Sequence, residues 1–457
     1  MKSNFSDFFD VDKNIMKQEG ILDISLIADT MAFIDPFLLF NSKKKSYQDA
    51  HKSMVKYIKF LCQNAERAEK DKYFRRKYYY FKEPKQNWLG YTEYGNGGRG
   101  LAKDFALKFC ANAKKFARNF GDEKVTESSH PEKLYIFNYD DGVDSISDFT
   151  TRLVLSFLLE FTQKFCKKYV KRIYWGEHTI SKVEFDYEQE EWLGKKYILP
   201  TQNDNDYVIL VPNDILIYGG LFISRQDFMR SITFKRFEIA NPTLRERVND
   251  YLTEEVKKEY VKEKERLFET LIEENPELID DYIRYKEINK MDANNNNQKF
   301  RDEYDKIFEQ NYNALIDALK NNSDFFEFNN VNDKKDVRVR MAELKKVIEK
   351  KSGNRFLYVE GNLISNKRFS RLMNRIWFAD IPRNNNDSLK TDIEFKFVHN
   401  SPIEKVLETR FLKPTIKEKF LVYLCEGKHD KDRLEKAINK LELANNPNLT
   451  VIFIGDF

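Results

Sequence analysis

Hydrophobic and polar positions in the first half of the chain alternate between strand-like and helix-like spacing. An apolar run at 26–40 predicts a strand with a turn at Pro36, and apolar residues at helical spacing predict an amphipathic helix over 46–68. Residues 133–137 predict another strand, which a loop connects to a long helix with an apolar residue at every fourth position. The run 207–212 predicts a short buried strand. This pattern predicts an α/β domain.

The middle of the chain is dominated by charged residues at helical spacing. Asn241 is a suitable N-cap with a proline after it at the first helical position, which predicts that a helix begins at 242. Charge of both signs then continues to about residue 350, which is typical of solvated helices. An apolar stripe at Leu244, Val248, Tyr251 and Leu252 needs a partner surface. We interpret this segment as a spacer or an oligomerisation arm.

The last hundred residues return to short alternating elements. Strand-like runs at 355–361, 391–397, 419–427 and 449–457 are separated by helix-like segments with short links. This order predicts a compact sheet with helices packed on it.

Composition limits the class of protein. The chain is 41% hydrophobic and 14% aromatic, which is enough apolar material for folded cores. Its 457 residues are too many for one compact core. The net charge is only +4, so any nucleic-acid-binding surface is expected to be local. The four cysteines are far apart and form no CxxC pair, which favours reduced thiols in a cytoplasmic protein. We expect no secretion signal and no membrane span.

Glu-x-Lys triplets are the first candidate chemistry, and their surroundings distinguish them. Three of the six fall in charged helices, where residues i and i+2 point apart. In a strand, residues i and i+2 share a face, and only Glu394 and Lys396 lie within a predicted strand. The next candidate triplet is the one with Glu426 and Lys428, at the end of a predicted strand. The six triplets begin at Glu83, Glu255, Glu343, Glu349, Glu394 and Glu426.

The segment 335–457 resembles the PD-(D/E)xK, or restriction-endonuclease-like, nuclease superfamily. The matching pattern is an acidic residue, Asp380 in "WFADIP", followed on the next strand by Glu394 and Lys396 in "TDIEFKF". The resemblance implies that the two carboxylates hold Mg²⁺ or Mn²⁺ and that the lysine orients or activates the attacking water. Carboxylate oxygens are the ligands that Mg²⁺ prefers, and the metal would stabilise charge on the scissile phosphate.

This segment departs from the family pattern in two ways. The proline follows Asp380 instead of preceding it, so Asp387 or Asp392 is an alternative second ligand. Glu360 is the candidate for the extra acidic residue that many members carry. A different interpretation also remains: the charges of 391–397 lie on the outer face of an edge strand and have no chemical role.

A basic aromatic stretch, "YFRRKYYYFK" at 73–82, is the candidate nucleic-acid-binding surface. Arg75, Arg76 and Lys77 are positioned to contact phosphates while neighbouring rings stack on bases. The alternative is that the aromatic residues pack inward and the cations are simply solvated.

An acidic loop at 139–149 is a secondary metal-site candidate. Asp141, Asp144 and Asp148 are clustered ahead of a helix, without the spacing of an EF-hand. Ser145 and Asp148 also form a capping-box pattern, so Asp148 has a simpler explanation at a helix N-terminus.

Taken together, the sequence predicts an α/β protein in three parts: an N-terminal α/β domain at 1–240 that senses or binds DNA, a helical linker or oligomerisation segment at 241–352, and a restriction-endonuclease-like α/β domain at 353–457. The predicted function is Mg²⁺-dependent phosphodiester hydrolysis, on DNA, in bacterial restriction or anti-phage defence. Expected partners are DNA, a partner protein subunit or a second copy of the chain, and no membrane. The alternative is a non-catalytic interaction subunit of a defence or nucleic-acid-handling complex.

Overall fold

Over the residues that it describes, the computed structural model combines helices with four small sheets, which confirms the α/β class in its general form. The division at 240 and 352 stays a prediction. The structure describes residues 4–82, 84–92, 100–116, 119–136, 142–202, 206–234, 236–239, 241–256, 261–350, 354–379, 391–399, 401–413 and 417–454.

Helices make up most of the N-terminal region up to residue 169. Its elements are α1 (Phe5–Phe9), α2 (Lys13–Gln18), β1 (Phe33–Ile34), α3 (Pro36–Phe40), α4 (Lys45–Gln63), α5 (Ala65–Lys70), α6 (Lys72–Tyr78), α7 (Lys103–Phe116), α8 (Val143–Leu153) and α9 (Leu155–Tyr169). The strand predicted over 26–40 is therefore wrong except at β1. The reason is local: the Asp35 side chain accepts a hydrogen bond from the Phe37 amide at 2.9 Å, and Pro36 occupies the first helical position.

Two other strand predictions in this region also need correction. Of the strand predicted at 133–137, the structure describes 133–136, where a short 3₁₀ helix, Pro131–Leu134, ends in a turn, so the prediction is wrong there. Residues 208–211 are buried as predicted, yet they form no ladder; the chain there makes isolated bridges through Tyr207 and Pro212. Buried apolar runs of this length do not distinguish a strand from other buried segments.

A long antiparallel hairpin, which the sequence analysis missed, follows α9. The elements of this part are β2 (Trp175–Asp186), β3 (Glu191–Pro200), β4 (Leu216–Ile217) and α10 (Arg225–Thr233). Strands β2 and β3 pair over nearly their whole length with an irregularity between Ile180 and Glu184, and β4 pairs with β1. Both strands carry many charged residues, which weakened the apolar signal.

The middle segment is helical, and its first helix begins where the sequence predicts. Its elements are α11 (Pro242–Val256), α12 (Val261–Glu274), α13 (Glu277–Ile288), α14 (Met291–Asp305), α15 (Tyr312–Asn322) and α16 (Lys334–Ile348), with a π-helical turn between α14 and α15. The Asn241 side chain accepts from the amides of Thr243 at 3.0 Å and Leu244 at 3.3 Å. This is the N-cap bonding expected at that position.

This segment packs on the rest of the chain instead of standing apart in solvent. Leu244, Val248 and Tyr251 of the apolar stripe are buried, and the Tyr251 ring lies 6.4 Å from that of Phe268 in α12. Helix α13 is tied to the N-terminal region by buried ion pairs, one of them between Lys133 and Asp280 at 2.6 Å. The stripe therefore already has its partner surface within the chain.

The C-terminal region contains the sheet that carries the predicted nuclease residues. Its elements are β5 (Tyr358–Val359), β6 (Asn362–Leu363), α17 (Asn366–Trp377), β7 (Thr391–Phe397), α18 (Ile403–Leu407), which continues as a π-helical turn at Glu408–Leu412, β8 (Glu418–Glu426), α19 (Gly427–Lys440) and β9 (Leu449–Ile454). Strands β7, β8 and β9 form one parallel sheet in that order. A helix connects each strand to the next, as parallel pairing requires.

Helices cover both faces of this sheet. On one face, Phe397 and Phe395 of β7 contact Phe369 and Trp377 of α17, with ring centroids 4.4 Å and 5.9 Å apart. This face belongs to a continuous apolar cluster that reaches back to the first helix. On the other face, alternate residues of β8, including Tyr423, join a smaller cluster with α18 and α19. The polar residues of β7 lie on this second face.

Candidate functional site

Strand β7 places three charged side chains in a row on one face. Asp392, Glu394 and Lys396 alternate with Ile393 and two buried phenylalanines, as the period-2 pattern predicts. The Lys396 Nζ atom lies 2.6 Å from Glu394 Oε1. In the parallel register, Glu394 faces Leu421 of β8 and Lys396 faces Tyr423. Among the described residues, β7 has β8 as its one strand neighbour, so it is an edge strand of this sheet.

Arg410 is the residue of this site that the sequence analysis missed. It lies in the π-helical turn after α18, where its Nη1 atom donates to Asp392 Oδ2 at 2.5 Å and its Nε atom donates to Glu394 Oε2. Its side chain is 14% exposed. A single guanidinium therefore bridges both carboxylates of the strand. No spacing rule links a strand residue to a cation sixteen positions away.

These contacts control the charge state of Glu394. Burial alone would raise the pKa of this carboxyl, but the hydrogen bond from Lys396 and the charge of Arg410 outweigh it and hold the pKa below its ordinary value. Glu394 is therefore ionised at neutral pH, with each of its oxygens bound to a cation. On the neighbouring strand, burial raises the pKa of Tyr423 to about 12, and its hydroxyl remains protonated beside Ser401.

Of the predicted second ligands, Asp392 is the one that the structure places beside Glu394 within the residues that it describes, on the same face of β7 and bridged to it by Arg410. Asp380 and Asp387 lie outside those residues. Glu360 is exposed in the turn between β5 and β6, with a positive φ of 51°. Helix α17 continues to Trp377, three residues before Asp380. Across the described ranges, no group of three or more His, Cys, Asp or Glu side chains is placed to hold a metal.

The basic aromatic stretch divides into buried and exposed cations. Arg75 is 7% exposed, and its guanidinium donates to the carbonyls of Ala68 at 2.8 Å and Glu69 at 3.0 Å. Its role in α6 is to satisfy backbone groups near the end of α5. Arg76 and Lys77 are exposed on the same helix. The nucleic-acid-binding hypothesis for this stretch therefore depends on Arg76 and Lys77.

Of the acidic loop, Asp144 and Asp148 are described, whereas Asp141 is not. Helix α8 begins at Val143 after Gly142, so the capping box predicted for Ser145 and Asp148 is wrong. Asp148 is buried within the helix instead of lying at its N-terminus.

Asp144 lies beside a second carboxylate that the sequence analysis did not identify. Asp29 Oδ2 and Asp144 Oδ1 both approach Gly90, where a Cβ atom would lie 3.1 Å from each. Burial raises the pKa of Asp29 to about 7, against the hydrogen bond from Thr92 and the charge of Arg371, and the Asp144 charge raises it further. The Arg371 cation comes from α17, and it donates to the Thr92 carbonyl at 2.8 Å. This cluster thus links the N-terminal region to the helix that supports β7.

Comparison with known proteins adds one finding. A family model described as a domain of unknown function (DUF8370) matches residues 10–220, which include Asp29, Asp144 and the basic stretch but not β7. No curated protein matches the chain, and no solved structure matches it. In the part of the chain that the structure describes, no helix is long and apolar enough to cross a bilayer.

Proposed function

We propose that this chain is a divalent-metal-dependent nuclease that hydrolyses phosphodiester bonds, in DNA, as part of cytoplasmic bacterial restriction or anti-phage defence. The observation that carries the proposal is the pairing of Glu394 and Lys396 on one face of β7, at 2.6 Å. Of the six Glu-x-Lys triplets, this one lies within a strand whose opposite face is buried, so both side chains point the same way.

The chemistry of the donors fits Mg²⁺ or Mn²⁺. Asp392 and Glu394 offer hard carboxylate oxygens from one strand face, and Glu394 is ionised at neutral pH. These two residues would hold the ion, with a further carboxylate from Asp380 or Asp387 under the proposal. Arg410 donates hydrogen bonds to both carboxylates, so it must release at least one carboxylate oxygen before an ion can bind there.

Each residue has a distinct role under this proposal. A bound divalent ion would polarise the scissile phosphate and stabilise its developing charge. Glu394 keeps a negative charge in a half-buried position and accepts from Lys396. The Lys396 ammonium, 27% exposed, can donate to a phosphate oxygen or to a water molecule while it remains near Glu394. Arg410 is expected to position the carboxylates and not to react.

The same contacts favour one alternative, a non-catalytic interaction subunit. Asp392, Glu394, Lys396 and Arg410 neutralise one another in a closed cluster. Such a cluster satisfies its own charges and stabilises β7 against α18 without any ligand. The two candidates differ in whether Glu394 binds a metal ion.

The experiment compares matched variants of the full chain. Glu394→Gln and Lys396→Met remove the charges of β7, and Glu426→Gln makes the same change in a triplet at the end of β8. Glu426 accepts from the Tyr358 hydroxyl at 3.0 Å, so this variant likewise replaces a charged hydrogen-bond acceptor with a neutral one. Mn²⁺ binding is measured by calorimetry, and cleavage is measured on supercoiled plasmid, single-stranded DNA and RNA with Mg²⁺ or Mn²⁺.

Under the proposal, the parent chain cleaves DNA. Both β7 variants cleave it at least a hundredfold more slowly, and Glu426→Gln cleaves it at the rate of the parent. Glu394→Gln also weakens Mn²⁺ binding, whereas Lys396→Met does not. Loss of activity in Asp380→Ala or Asp387→Ala then identifies the further carboxylate ligand. Absence of both cleavage and Mn²⁺ binding in the parent chain contradicts the proposal and favours the interaction subunit.

A further inference from the structure

A cavity of about 410 Å³ lies at the junction of three parts of the N-terminal and middle regions. The end of α3 and the first turns of α4 form one side, the segment 127–128 forms another, and Lys290, between α13 and α14, closes the third. Its volume is within the range of pockets that hold small molecules, about 300–1,000 Å³. We refer to it as the lysine cavity. It is separate from β7 and from the acidic pair at Gly90.

The lysine cavity has an excess of positive charge. Lys43, Lys52 and Lys290 line it, against one carboxylate, Glu127, which lies 3.2 Å from Lys290. Lys43 and Lys52 are exposed, and neither forms an ion pair with any residue that the structure describes. Two ammonium groups at one concave surface are thus left without neutralising partners. Such a surface attracts anions.

A buried histidine, His51, also lines this wall. His51 is 2% exposed, and its Nε2 atom has no hydrogen-bond partner within the described ranges. Burial lowers the pKa of His51 to about 3, and the nearby His130 and Lys52 lower it further, so the ring is neutral. The ring is held between its neighbours, 5.6 Å from Phe40 and 5.9 Å from His130. A buried polar atom without a partner is costly unless a ligand satisfies it.

The walls of the cavity are fixed by hydrogen bonds that do not involve its free groups. The Asn41 side-chain Nδ2 atom donates to the Lys290 carbonyl at 3.0 Å, which joins α3 to the turn after α13. The Glu287 carboxylate accepts from the amides of Glu127 and Ser128 at 2.7 Å and 3.0 Å. A site with walls held in this way loses little entropy when a ligand binds.

We propose that the lysine cavity binds the phosphate groups of a small phosphorylated molecule. Two unneutralised ammonium groups match the charge of a phosphate, and a shift of the His51 ring toward the cavity would let its Nε2–H donate to a phosphate oxygen. The concave shape favours a compact ligand over a nucleic-acid strand, which requires an extended track of cations. This site lies mainly in the region matched by the family model, and it does not depend on the nuclease proposal.

Calorimetry on the full chain tests this site, with inorganic pyrophosphate and ADP as probes. The test variant is Lys43→Glu with Lys52→Glu, both at exposed positions, so the fold should persist. The control is Lys45→Glu with Lys56→Glu, which makes the same change of net charge on α4, the helix that also carries Lys52, but outside the cavity lining. A second variant, His51→Phe, removes the directional donor and keeps a ring in its place.

One pyrophosphate or ADP should bind per chain, and the cavity variant should weaken binding at least about tenfold, since a hydrogen bond between an ammonium group and a phosphate contributes that much or more to affinity. The control variant should bind within about twofold of the parent, and His51→Phe should bind more weakly than the parent. Three results overturn the proposal: no binding of either probe to the parent, equal weakening by the control pair, or DNA binding at these lysines that pyrophosphate does not compete for.

Discussion

Replacing Arg410 with methionine tests whether this residue holds β7 in place. The change keeps most of the length of the side chain and removes the charge. It leaves Asp392 and Glu394 two positions apart on one face, with Lys396 as the remaining cation of the cluster. Like charges on one strand face destabilise it, and each carboxylate loses a charge-assisted hydrogen bond.

The magnitude follows from the exposure of each pair. The Glu394 side chain is 23% exposed, so losing this bond should cost about 1.5–3 kcal/mol. Asp392 is 45% exposed, and solvent screening reduces its share to well under about 1 kcal/mol. We expect a total of about 2 kcal/mol, which is roughly a 30-fold increase in the opening equilibrium of β7. Lys440→Met is the control, since it breaks an ion pair with Glu404 that is more than half exposed on both sides.

Hydrogen exchange of peptides that cover 391–397 measures this local stability directly. The effect of Arg410→Met should depend on pH. The folded-state pKa of Glu394 lies below its ordinary value of 4.5, so the stabilisation is present above that value and is lost as the pH falls through the folded-state pKa. The difference between parent and variant should therefore be full at pH 7 and should shrink as the pH falls through the lowered pKa of Glu394. Less than a threefold change at pH 7, or an equal effect of Lys440→Met, would refute the reasoning.

Three other predictions concern different parts of the molecule. The pKa of Asp29 is raised from 3.8 to about 7, so its contribution to stability is present below about pH 4 and is lost as the pH rises to 7. Asp29→Asn lacks this loss, so between pH 4 and pH 8 its unfolding free energy, measured with urea, should rise by on the order of 4 kcal/mol relative to that of the parent. Arg75→Ala should lower the melting temperature, whereas Arg76→Glu with Lys77→Glu should leave it unchanged and weaken DNA binding with a flatter salt dependence. Phe395→Ala should cost about 3–5 kcal/mol in chemical denaturation, because its ring is fully buried.

Each of these predictions has a contrary outcome. Parallel stability profiles of parent and Asp29→Asn would contradict the raised pKa. Unchanged DNA binding in the Arg76 and Lys77 double variant, across a salt titration, would exclude this helix from any nucleic-acid surface. A cost below about 1 kcal/mol for Phe395→Ala would mean that α17 does not pack on β7 as described.

The sequence by itself determined the elements whose signals are local. Strand β7 lies at Thr391–Phe397, the same seven residues that the alternation predicted, and α11 begins at Pro242 after its asparagine cap. In both cases, side-chain periodicity or a capping side chain acts within a few residues. The prediction over 26–40 failed because apolar content was weighed above Asp35 and Pro36, although these two residues carry a helix-start signal.

Tertiary structure alone decided which charged groups meet. Glu394 and Lys396 are adjacent by strand geometry, but Arg410 reaches them because α18 folds back over the sheet. Asp29 and Asp144 meet at Gly90 from positions more than a hundred residues apart. The middle helices looked solvated by composition, yet their apolar sides are buried against the rest of the chain. Contacts of this kind depend on the packing of whole elements, whereas propensity and periodicity describe only a residue and its near neighbours.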